Sequence, residues 1–184
     1  MSSWNRRPAA AADYDTFVRL FAELGVSDPT PDATRWANDL APRAVMIETP
    51  AGAIAAYGWA VALGSLGHIH HVVVDPAFRG QGAGRAVMDA LIDRLRDEGC
   101  THVCLSVKIG NAPAIRLYER CGLVIEHGMA VLLFPWSGLA QLAGNSGRAV
   151  VETLTAQGDA DVERTFDIAR GRLASMRTLG RSVL

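Results

Sequence analysis

Lysine is nearly absent from this chain: Lys108 is the only one among 184 residues, and arginine carries the rest of the positive charge. With 18 basic and 19 acidic side chains the formal net charge is −1. That balance lacks the basic excess usual in nucleic-acid binders, so no nucleic-acid partner is expected. Cysteine is scarce too. Cys100, Cys104 and Cys121 are too few and odd in number for a disulfide framework. They lack CxxC spacing and a matching His pair, so no metal site is expected. They read as small core residues in a reducing cytoplasm. The N-terminus, Ser2 to Pro8, is polar and lacks the apolar stretch of a signal peptide. No internal repeat or low-complexity tract stands out. Formal charge is missing from Thr49 to Val74, a length that could cross a bilayer. Gly64-Ser65-Leu66-Gly67 interrupts that run, and three histidines follow. Two buried strands joined by a turn fit it better, and no membrane partner is expected. What remains, 49% hydrophobic and 20% charged, is the composition of a soluble globular protein with one good core.

The apolar spacing then gives an order of elements. A first strand covers Trp4 to Arg7. Tyr14, Phe17, Val18, Leu20, Phe21 and Leu24 predict a helix over 11–24, stopped by Gly25. Asp32 caps a short helix to Leu40. Strands follow at 44–48, 53–63 and 68–74, with turns at Pro50-Ala51-Gly52 and Gly64 to Gly67. Val87, Met88, Leu91, Ile92 and Leu95 form the stripe of a long helix over 82–98. A strand at 102–107 comes next, then a helix opened by Asn111-Ala112-Pro113 and closed by Gly122. Two last strands are expected at Leu123 to Ile125 and Met129 to Phe134. Trp36, Tyr57 and Trp59 are candidates to line a pocket, with core packing expected for at least two of them.

The stretch His68 to Arg85 carries the strongest chemical signal. An apolar strand meets the turn Asp75-Pro76, then the loop Arg79-Gly80-Gln81-Gly82-Ala83-Gly84, then a helix opening at Arg85. Strand, Gly-rich loop and helix together bind phosphate, because backbone N–H groups reach an anion at the positive end of the helix. A Walker loop needs Lys-Ser/Thr after its last glycine, and here Arg85-Ala86 follows. A dinucleotide loop needs G-x-G-x-x-G, and Arg85 or Val87 falls at the sixth position. Arg/Gln-x-x-Gly-x-Gly/Ala matches Arg79 to Gly84 at every position.

With this loop, Val74-Asp75-Pro76 ahead of it and Asn111-x-x-Ala114-x-x-x-Tyr118-Glu119-x-x-Gly122-Leu123 beyond it, the chain resembles the GNAT superfamily of acetyl-CoA-dependent N-acetyltransferases. Leu123 replaces the Phe usual in the second motif. The resemblance covers about residues 4–134 and implies an α/β GNAT fold: a mixed, mostly antiparallel twisted sheet flanked by helices and splayed at the cofactor cleft. It implies that the pyrophosphate of acetyl-CoA sits on the amides of Gly80, Gln81, Gly82, Ala83, Gly84 and Arg85, with Arg79 as a nearby cation. Pantetheine would lie along the backbone of Val72, Val73 and Val74, with Asn111 and Ala114 on the opposing wall.

The implied reaction is direct attack of an amine on the thioester. An alkylamine has a pKa of about 10.4, so only about one in a thousand is neutral at physiological pH. Recovering that factor corresponds to about 4 kcal/mol, so a base matters more than an acid. Tyr118 matches the family's acid, one helical turn from the sulfur; the alternative is an aromatic packed on the sheet. His68 and His70, two apart on a strand, share a face and are the base candidates, with His71 expected on the opposite face. This His-x-His is similar to the pair in arylalkylamine N-acetyltransferases that relays the amine proton through water. Other members place a Glu near this position, and buried core histidines are the bland alternative.

A domain over 1–134 and an extension over 135–184 complete the expectation. In the extension, 159–180 reads as helical, broken at Gly171. Its arginines are partly matched by Asp159, Asp161, Glu163 and Asp167, as on a solvated face. It packs on the first domain, swaps onto a second copy to give a homodimer, or begins a further domain. The acceptor expected is a small-molecule amine, with a peptide amine (protein N-terminus or lysine) as the rival. A non-catalytic acyl-CoA sensor is the alternative outside enzymes.

Overall fold

Residues 4–26, 28–128 and 154–178 are described in a computed structural model. Five strands form one sheet in the order β1 (Asn5–Pro8), β2 (Ala44–Glu48), β3 (Ile54–Leu63), β4 (Leu66–Val74), β5 (His102–Leu105). The first four pair antiparallel, and β5 joins β4 in parallel. A parallel neighbour needs a long crossover. Helix α3 (Ala83–Asp97) supplies it. The mixed, mostly antiparallel sheet expected from sequence is the one observed.

Two hydrophobic clusters clamp the sheet. On one side Val87, Met88, Leu91 and Leu95 of α3 are fully buried against Val45, Ile47, Ala60 and Ile69. Gly58 lets the helix approach, since a Cβ there would stand 2.4 Å from a methyl of Val87. On the other side α1 (Tyr14–Phe21) sends Phe17, Leu20 and Phe21 into a cluster with Trp36, Met46, Tyr57 and Val73. Phe17 stacks on Trp36 at 4.3 Å. Trp36 and Tyr57 are therefore core, as expected for at least two of the three aromatics, and Trp59 lies at the cluster's edge. Asp32 caps α2 (Ala33–Arg35) by accepting from the Arg35 N–H.

Two expectations are corrected. Leu123 to Ile125 form no strand, and Val124 and Ile125 are 85% and 72% exposed. A strand needs a neighbour for its ladder; the expected one, Met129 to Phe134, lies outside the described residues. The break expected at Gly171 is observed: α5 (Asp159–Thr165) and α6 (Arg172–Thr178) are joined by a turn with positive φ at Asp167 and Gly171. Finally, Asp159 and Glu163 are not solvated but 7% and 6% exposed. Folding α6 back on α5 encloses them: Asp159 pairs with Arg177, and Glu163 accepts from the Gly171 and Leu173 amides at 2.8 and 2.9 Å.

Candidate active site

The Gly-rich loop is built by its two ends. Asp75 accepts from the Ala77 N–H and pairs with Arg19 of α1, which fixes the turn out of β4. Gly80 and Gly82 have φ of 75° and 90°, a region costly for any residue with a Cβ, and Gly82 is the N-cap of α3. Gly84 serves packing: a Cβ there would stand 3.0 Å from Leu117 on helix α4 (Ala112–Arg120). The first-turn amides of α3 thus open at the exposed tip of the loop, where an anion would be held. Arg79 lies at this tip, paired with Glu23 at 2.7 Å while its Nε donates to the Val74 carbonyl at 3.2 Å. Gln81 donates to the Ala77 carbonyl. Sequence reading missed Trp4, whose indole donates to the Gln81 carbonyl at 3.2 Å and meets Phe78 edge-on. Nothing in a lone N-terminal aromatic signals that contact.

Next to the loop the sheet splays. β5 follows β4 only from Leu66↔His102 to Ile69↔Leu105. Beyond Ile69, β4 continues through Val72, Val73 and Val74 with β3 on its other side. This leaves a backbone edge beside the loop that a pantetheine-like chain can pair with. Val72 and Val74 turn towards the α3 cluster, as do Leu117 and Tyr118 of α4. Asn111 opens α4 by accepting from the Ala114 N–H at 3.3 Å. Arg85 ties α3 to α4, donating to the Arg120 carbonyl at 2.9 Å and pairing with Asp89 at 2.7 Å. Tyr118 is half-buried, and burial raises its phenol above the ordinary value.

The histidines sit where the splay begins. Ala60 pairs with Ile69 but Trp59 pairs with His71, so His70 is an extra, bulged residue. A bulge breaks the two-residue alternation. Ile69 accordingly faces the α3 cluster while Val73, four residues on, faces the α1 cluster. His68 and His70 do share a face, with ring centroids 4.2 Å apart, and His70 stacks on Trp59 at 4.4 Å. His71, expected opposite, stands on this face as well: it meets Trp59 at 5.0 Å and Phe21 edge-on, and its Nδ1 lies 3.2 Å from the Tyr57 hydroxyl. Burial pushes His71 down to about 4, with Asp28 opposing. His68 is also lowered, first by burial and then by the positive charge of Arg172. The Trp59 Nε1 is buried without a partner among the described residues. No cluster of His, Cys, Asp and Glu among the described residues is arranged to hold a metal, and no helix there is long and apolar enough to cross a membrane.

The splayed parallel pair, the bulged β4, the Gly-rich loop and α4 thus lie beside one another in the fold. The sequence profile of the Acetyltransferase (GNAT) family matches residues 10–123, and the chain belongs to that family. It is 41% identical over 81 residues to a mycothiol acetyltransferase of Acidothermus cellulolyticus, covering 44% of this chain and 24% of that protein. It is 43% identical over 54 residues to the [ribosomal protein bS18]-alanine N-acetyltransferase of Escherichia coli K12, covering 29% of this chain and 36% of that protein. The matched stretches thus span only about a quarter to a third of these relatives. The crystal structure of glucosamine-6-phosphate N-acetyltransferase from Arabidopsis thaliana superposes with a TM-score of 0.56 at 27% identity, covering 72% of this chain and 99% of that one.

Proposed function

We propose that this protein is an acetyl-CoA-dependent N-acetyltransferase that acetylates a primary amine of a small molecule by direct attack on the thioester. The observation that carries the reading is the His68–His70 pair, 4.2 Å between rings, at the point where β4 parts from β5. The free edge of Val72 to Val74 and the loop from Arg79 to Arg85 follow it along the chain from β4 into α3. Together with family membership they support acetyl-CoA as donor, with Asn111 and Ala114 on the opposite wall.

In this mechanism the amine nitrogen bonds the acetyl carbon and the carbon–sulfur bond breaks. The amine proton passes to His68 or His70, directly or through water, and the departing thiolate takes a proton from Tyr118. Each group suits its task. His68 is held below its usual value, so it is a neutral imidazole at physiological pH. Tyr118 is held above its usual value, so it stays a donor. A thiolate of pKa about 8.5 asks little of that acid.

The similarity to the bS18-alanine N-acetyltransferase favours a second reading, acetylation of a peptide N-terminus. A thiol-release assay with acetyl-CoA across small amines and N-terminal peptides separates the two. Turnover confined to small amines is the expected result. Turnover confined to peptides replaces it with the second reading, and acetyl-CoA binding with no turnover leaves a sensor.

A further inference from the structure

The helix pair after the catalytic domain is not set apart from the site. Gly64, in the turn between β3 and β4, donates its N–H to the Ser175 hydroxyl at 2.9 Å, and the next amide, Ser65, donates to the Arg170 carbonyl at 3.3 Å. The fit is close: a Cβ on Gly64 would stand 2.2 Å from the Arg170 carbonyl oxygen and 3.0 Å from the Arg172 nitrogen. Glu163 locks the same backbone from the other side through the Gly171 and Leu173 amides. Arg172 is thereby fixed by its backbone against the turn that leads into β4, a few residues ahead of His68. Its charge acts on both His68 and Cys104, which are register partners across those strands. Arg164 and Arg177 pair with Asp161 and Asp159. Half-buried Arg172 has no carboxylate partner among the described residues.

A half-buried cation beside the proton acceptor repels an alkylammonium as it enters. An acceptor carrying its own anion removes that penalty and gains a charge-assisted hydrogen bond. It also neutralises the charge that lowers His68, leaving a stronger base once the acceptor is seated.

We propose that residues 154–178 complete the acceptor site and that Arg172 is its specificity-determining residue, selecting amines that carry a carboxylate or phosphate. This rests on the acetyltransferase reading above.

The test uses matched pairs: O-phosphoethanolamine against ethanolamine, and 4-aminobutyrate against butylamine. The wild-type protein is expected to prefer the anionic member of at least one pair, and the pair in which it does so distinguishes phosphate from carboxylate. In Arg172→Gln the kcat/KM for that member falls about 10- to 100-fold, mainly through KM, while its neutral partner is unchanged or improved. Arg172→Lys restores part of the preference. Equal losses on both members, or no anionic preference in the wild type, overturn the proposal. Calorimetric binding of the same compounds, with unchanged thermal unfolding as the folding control, separates the two levels. Anion-dependent binding lost in Arg172→Gln, without turnover of any acceptor, upholds Arg172 and sinks the transferase reading. Binding without any Arg172 dependence sinks Arg172.

Discussion

His68 and His70 stand side by side on β4, 4.2 Å between ring centroids, because the bulge takes His70 out of pairing with β3 but leaves both rings on the Trp59 face. Burial disfavours the protonated form of His68 and lowers its pKa. Arg172 adds to that effect at His68. His68 is therefore a neutral imidazole at physiological pH where β4 parts from β5.

Its pH dependence follows with a definite sign. A base works only when unprotonated, and His68 titrates below its usual value. The wild-type kcat/KM is therefore free of a His68 acid limb at neutral pH. In His68→Ala/His70→Ala the amine must lose its proton unaided, so kcat/KM falls most at neutral pH, by about 10²- to 10⁴-fold. It then climbs about tenfold per pH unit towards the amine pKa of about 10.4. Rate profiles of both proteins from about pH 6 to about pH 10 check this; superimposable shapes would remove the pair from proton transfer.

Tyr118→Phe asks whether the phenol acts or only packs. The ring sits against the α3 cluster in either case, so stability should change little. As the acid, its loss lowers kcat by up to about 10²- to 10⁴-fold. The deficit should shrink with an acetyl donor whose thiol is more acidic, since that leaving group needs no proton. A kcat equal to wild type assigns the ring to packing.

Much of this was legible in sequence, for reasons that also mark the limits. Val87, Met88, Leu91 and Leu95 lie at helical spacing because that spacing is what buries them together. Asn111, Gly80 and Gly82 declare local geometry that few other residues tolerate. The bulge at His70 does not show, because strand alternation is a two-residue rule and one extra residue defeats it; hence the misplaced face of His71. The fold-back of α6 on α5 is equally silent. Glu163 reads as a surface charge until Gly171 and Leu173 present their amides to it. Contacts such as Trp4 to Gln81 or Gly64 to Ser175 join residues far apart in the chain and leave no local mark.

His71 predicts an acid weakness of the fold. It is lowered to about 4 by burial, whereas the unfolded chain titrates near the ordinary 6.5. Between those values the unfolded state binds the extra proton, so stability is full above the unfolded value and falls as pH drops towards the folded one. The loss approaches about 3 kcal/mol below that window. Urea unfolding at neutral pH and at about pH 4.5 measures it. His71→Gln, which keeps a polar partner for the Tyr57 hydroxyl, should flatten the difference. An equally steep fall in that variant would place the acid sensitivity in another group.

Gly64→Ala separates the helix pair from the sheet. The new methyl would overlap the Arg170 carbonyl at 2.2 Å, and φ at 64 is 66°. Gly25 provides the control, with φ 59° and nothing within 4 Å of its added methyl. Gly25→Ala carries backbone strain alone, about 1–2 kcal/mol. Gly64→Ala carries the same strain plus the overlap, which is relieved only if α5 and α6 move off the turn between β3 and β4. Limited proteolysis should therefore cut within 154–178 much faster in Gly64→Ala than in Gly25→Ala, with residues 4–128 remaining intact in both. The same undocking carries Arg172 away from His68, so the acid limb set by His68 should move upward in Gly64→Ala and stay in place in Gly25→Ala. Equal protease sensitivity with an unmoved limb would mean that the overlap is absorbed without undocking.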